Sequence, residues 1–118
     1  MTEAPWARAS LRVDSENFGL DRLTEVLGPA TAGSSFERWI LECGESSAEP
    51  VHLQLARLES LLKERVDVLI ELGRDVDTTV LISWTPMAGQ DGLALPSSLI
   101  GLLGRIGATV LVDTYTDE

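Results

Sequence analysis

Residues 50–73 read PVHLQLARLESLLKERVDVLIELG. Val51, Leu55, Leu58, Leu62, Val66, Leu69 and Leu72 recur at steps of four or three and fall on one side of a helix. Leu61 and Ile70 flank that stripe. Pro50 suits the first turn, where its missing N–H is no loss, and Gly73 suits the stop. At 1.5 Å per residue the helix would be about 33 Å long. That exceeds the average helix, so a break near Lys63-Glu64-Arg65 is an expectation. A rod with one apolar side needs a platform, and the flanking sequence supplies it.

Upstream, Ala9, Leu11 and Val13 alternate with Ser10, Arg12 and Asp14, the period of a half-buried strand. Residues 1–8 read as a loose arm carrying Trp6, and 9–118 as a single domain. Leu20, Leu23, Val26 and Leu27 share one face of a short helix over Asp21–Leu27, with Asp21 at its start and Gly28-Pro29 at its end. Phe36–Cys43 reads as a strand bearing Trp39. Downstream, Asp75-Val76-Asp77 reads as a turn, and Val80, Ile82 and Trp84 alternate in a strand that Pro86 ends. A turn over 87–92 uses Gly89 and Gly92, and 92–95 is a candidate fifth strand. Pro96 opens a second short helix bearing Leu99, Leu102, Leu103 and Ile106. Gly101, Gly104 and Gly107 there are read as close packing on the sheet. Thr109–Tyr115 is the last strand. The expected fold class is therefore α+β: a mainly antiparallel sheet of four to five strands, with one long and two short helices packed mostly on one face.

Bulk properties narrow the function classes. The chain has 118 residues, 44% hydrophobic and 24% charged, enough for a core without metal or disulfide support. Nineteen acidic against nine basic residues give a formal charge of −10. A polyanion is repelled by nucleic acid and anionic lipid, so no nucleic-acid or membrane partner is expected; a basic protein is. One cysteine, Cys43, excludes an internal disulfide and fits a reducing compartment. The N-terminus lacks signal-peptide regions and no apolar run reaches membrane-spanning length, so the expected location is cytoplasmic.

Chemistry-bearing residues are sparse. His52 is the only histidine and lacks the partners of a metal site or triad. Cys43 lies nine residues from it, but a nucleophilic thiol needs a cation or base in contact. Neither a Walker loop nor a dinucleotide fingerprint is present. No cofactor and no catalysis are expected. The one patterned surface feature is Glu64, Asp67 and Glu71, which fall within roughly 60° of each other opposite the apolar stripe. Such a ridge suits docking of a basic partner, where charge raises association rate and selectivity.

The stretches ASLRVDS (9–15) and LTEVLGPAT (23–31), Trp39, and LPSSLIGLLGRIGATVLVD (95–113) together resemble the bacterial family called domain of unknown function 4279. The resemblance implies an opening strand, a short helix ending in a Leu-Gly-x-x-Pro-Thr pattern, a strand tryptophan and a closing helix and strand. Here that helix ends in the shorter Gly28-Pro29-Ala30-Thr31. The shared motifs are structural and carry no catalytic residues over.

These features together lead to the expectation of a non-enzymatic protein-interaction domain. Its concrete version is an immunity-type inhibitor that presents Glu64, Asp67 and Glu71 to a basic toxin. The alternative is a small-ligand-binding or regulatory domain, with homodimerisation through an exposed strand edge as one form.

Overall fold

The computed structural model describes residues 7–31, 38–44, 49–84 and 93–114; of Trp84 and Thr114 the backbone alone is described. Within them the order is β1 (Ala7–Asp14), α1 (Leu20–Leu27), β2 (Arg38–Glu42), α2 (Val51–Leu72), β3 (Asp77–Trp84), α3 (Ser97–Ile106) and β4 (Thr109–Thr114). A single 3-10 turn, Gly73–Asp75, joins α2 to β3. Trp6, the Phe36 end of the second strand, the 87–92 turn with Gly89 and Gly92, and Tyr115 lie outside the described residues.

The four strands form one sheet in the order β2-β1-β3-β4. β1 is antiparallel to both neighbours, with Ser10 opposite Glu42 and Asp14 opposite Arg38 on one side, and Asp14 opposite Asp77 on the other. β2 and β3 therefore run the same way, separated by β1, and α2 must cross over β1 to join them. Its apolar stripe does so: Leu55, Leu58, Leu62 and Leu69 are buried in one cluster with Leu11, Val13, Trp39, Val80 and Ile82. Burying those four leucines contributes on the order of 6 to 12 kcal/mol before chain entropy offsets it.

The α+β class holds, with corrections. The sheet is mixed, because β4 runs parallel to β3. A helix between the two strands returns the chain to the end where β3 began, which makes the next strand parallel. No fifth strand forms over the described residues 93–95. β1 starts at Ala7, so Ala7 and Arg8, assigned to the arm, are strand. Asp77 likewise opens β3 and is not part of the turn. Helix α2 is continuous through Lys63-Glu64-Arg65.

The packing role assigned to the α3 glycines also fails. A Cβ added at Gly101 or Gly104 would meet nothing within 4 Å, so neither is a close-contact position; Gly107 is the cap that ends α3.

Two polar side chains of α2 organise what lies around it. Gln54 is 1% exposed. Its amide Nε2 donates to the carbonyls of Ala7 (2.7 Å) and Glu49 (2.9 Å), and its Oε1 accepts from the Ala9 N–H (2.9 Å). β2 ends at Glu42, and the Cys43 N–H donates to the Ala9 carbonyl. Gln54 thus replaces the next strand residue along β1. Gly44 makes room: a Cβ there would sit 2.6 Å from the Gln54 amide carbon. Arg65, eleven residues on, donates from Nε to the Leu27 carbonyl (2.9 Å) at the end of α1 and stacks its guanidinium 5.9 Å from the Trp39 ring centre. The Trp39 indole N–H donates to the Gly28 carbonyl (2.9 Å). At Gly28 the chain turns with φ of +99°, a conformation a side chain would strain.

Candidate functional site

Glu64, Asp67 and Glu71 all emerge on the exposed face of α2, opposite the buried leucines. Glu64 approaches the Arg65 guanidinium at 3.4 Å from a side chain that is 70% exposed. Asp67 and Glu71 form no ion pair among the described residues. Ile70, 45% exposed, lies beside Asp67 on one flank of the ridge.

The local electrostatics oppose the helix that carries them. The first turn of α2 holds no acid and the last turn holds no base. Its exposed cations, Arg57 and Lys63, lie on the N-terminal side of Glu64, Asp67 and Glu71. The macrodipole, which acts within the terminal turns, disfavours Glu71 in the last one. Asp67 and Glu71 are also a like-charge i,i+4 pair, unfavourable by about 0.2–0.5 kcal/mol. Arg57 is already engaged, pairing with Glu49 and donating to the Cys43 carbonyl (2.9 Å). Lys63 pairs with Glu59 at 3.3 Å. The Ser98 hydroxyl donates to Glu59 (2.8 Å) and, with Lys63 adding to it, holds that carboxyl below its ordinary range.

The ridge runs into a second group of charges at the sheet end where β1 finishes and β3 and β4 begin. One open groove of about 490 Å³ is lined by Asp14, Glu16, Arg38, Arg74, Asp75 and Asp77. A second, of about 680 Å³, includes Ile70, Arg74, Asp77, Arg105 and Thr109. Arg38 pairs with Asp14 at 2.7 Å; that hydrogen bond and the attraction of the carboxylate raise the guanidinium's already high pKa. The Ser15 hydroxyl accepts from the Asn17 and Phe18 N–H groups and donates to the Asp75 carbonyl, which fixes the turn beside the first groove. The sequence reading did not assemble these residues. Asp14 and Asp77 are 63 positions apart, and only the strand register sets them opposite each other.

The two reactive candidates are not brought together as a working pair. His52 is exposed on the first turn of α2. Cys43 is 1% exposed, and burial pushes its thiol up to about 12 against the pull of Arg57 and Arg65, with Glu42 pushing it further. A thiol so placed stays neutral near pH 7. Among the described residues no three His, Cys, Asp or Glu side chains are grouped to hold a metal ion, and no helix is long and apolar enough to cross a membrane.

No protein-family model, curated protein or solved structure matches this chain.

Proposed function

We propose that this domain is a non-enzymatic interaction module whose acidic ridge, Glu64, Asp67 and Glu71 with Ile70 on its flank, receives a basic protein. The reading is carried by the unpartnered carboxylates: Asp67 and Glu71 are a like-charge i,i+4 pair with no ion-pair partner among the described residues, and Glu71 sits in the last turn of α2, where the dipole favours a cation. A docked cationic surface would relieve both penalties. In its immunity-type form, the carboxylates occupy the place of substrate phosphates on a basic toxin, and the net charge of −10 steers the encounter.

The test joins stability to binding. Charge reversal by Glu64→Lys, Asp67→Lys and Glu71→Lys together should raise the melting temperature slightly, because it puts a cation in the last turn of α2 and, at +2 for each change, lowers the magnitude of the net charge of −10 by six. The same variant should lose a basic protein that the wild type retains from native-host lysate at low salt and releases at high salt. Equal retention by the variant refutes the ridge as the contact.

A second reading, small-ligand binding, draws on the two grooves at the sheet end, where arginine and carboxylate side chains face a common space. The space between helix α2 and the sheet is filled by Leu55, Leu58 and Leu62, so a ligand would sit in those surface grooves. Ligand-dependent melting that Arg74→Ala abolishes would favour this reading over the first.

A further inference from the structure

The two edges of the sheet are treated differently. On β2 the outer edge is occupied: the Ile40 carbonyl accepts from the Thr31 N–H (2.7 Å) and hydroxyl (3.0 Å), and the Glu42 N–H donates to the same hydroxyl (3.3 Å). On β4, six residues long, no hydrogen bond caps the outer edge among the described residues. Of the usual defences of an exposed edge, β4 contains no lysine and no proline, and its one charge is Asp113 near its end.

Both sides of β4 are open as well. Leu111, beside Leu81, is 52% exposed; Val112, beside the buried Ile82, is 42% exposed. Helix α3 turns Ser98 toward α2 and Leu99, Leu102 and Leu103 into the core. At 100° per residue, Ile100 then points away from α2, and it is 53% exposed.

From this free edge and its apolar flank, we propose that β4 and α3 pair with the same elements of a second copy across a two-fold axis, extending the sheet antiparallel through β4. Charge selects that occupant. The chain carries −10, yet residues 93–114 hold one cation, Arg105, and one carboxylate, Asp113. This is a locally neutral surface on which a second copy meets only the long-range repulsion of the two net charges, and it offers a cationic or nucleic-acid partner nothing to grip. Size sets the strength. A strand edge about 20 Å long and a sheet-plus-helix layer about 20 Å deep give a footprint on the order of 400 Å² per copy, the low end for a specific pair. The dimer is therefore expected to be weak and concentration-dependent.

Sedimentation of the full chain from about 1 µM to about 500 µM should show conversion from the 12.8 kDa monomer to twice that mass. Hydrogen exchange at the upper end should newly protect β4 amides and leave the outer face of α2 unchanged. Raising salt should strengthen the dimer by screening the two net charges, the opposite of its effect on a basic partner at the acidic ridge. Val112→Lys and, separately, Ile100→Lys should each weaken it at least about tenfold with the monomer's far-ultraviolet spectrum unchanged. A monomer at every concentration, or a dimer that both lysine variants leave intact, overturns the proposal. The outcome is independent of the ridge, since Glu64, Asp67 and Glu71 lie on another helix.

Discussion

Replacing Gln54 by leucine should cost more than any surface change in this protein, although a leucine at that position would extend the apolar stripe. The side chain is buried and makes three hydrogen bonds, two of them to the backbone of β1. Gln54→Leu leaves the Ala7 carbonyl and the Ala9 N–H buried without partners. Each such group costs about 1–3 kcal/mol, together about 2–6. Burying leucine in place of the amide returns about 1–2 kcal/mol, so the net loss is centred on about 2.5 kcal/mol. With a urea slope of about 1.5 kcal/mol/M, the unfolding midpoint should fall by about 1–3 M at unchanged slope. A midpoint within about 0.3 M of wild type would refute the idea that Gln54 stands in for a strand residue. Gly44→Ala should also destabilise, because its methyl would lie 2.6 Å from the Gln54 amide carbon and 2.7 Å from Oε1. In a Gln54→Ala background most of that penalty should vanish, a coupling of about 1 kcal/mol or more. Gln54→Glu adds a pH signature. The new carboxyl faces two carbonyl oxygens, so its folded pKa rises above the unfolded value. The variant is then best tolerated below about pH 4 and loses stability as pH climbs through the folded pKa.

Arg65→Met should destabilise by about 1–3 kcal/mol and speed hydrogen exchange in α1, because the Leu27 carbonyl loses its donor and the Trp39 face its cation. Arg65→Lys should recover part of that loss, since an ammonium cannot reproduce the planar fork; full recovery would mean that charge alone mattered. Cys43 has a raised thiol pKa of about 12, so at pH 8 its thiolate is depleted as well as buried. A disulfide-exchange reagent should label it slowly in the native protein and quickly in urea. Equal rates would contradict the buried placement.

The long helix was legible because its evidence is local and periodic. Seven aliphatic residues at helical spacing, with proline before and glycine after, require the sheet they cover to lie on one side. The exposure of Glu64, Asp67 and Glu71 follows from the same arithmetic. Strand β1 and helices α1 and α3 were legible for the same reason. Gln54 was not, since a polar residue beside the stripe reads as its border unless the unpaired stretch of β1 above it is known. Arg65 sat where a helix break was expected and instead holds α1. The parallel β3–β4 pair, the meeting of Asp14 with Asp77, and the difference between a capped β2 edge and an open β4 edge depend on strand order. Spacing along the chain fixes which side of an element is apolar, because that depends only on the angle between neighbouring residues. Which elements become neighbours is decided by the packing of the whole chain, and there the charges and edges of this surface acquire their partners.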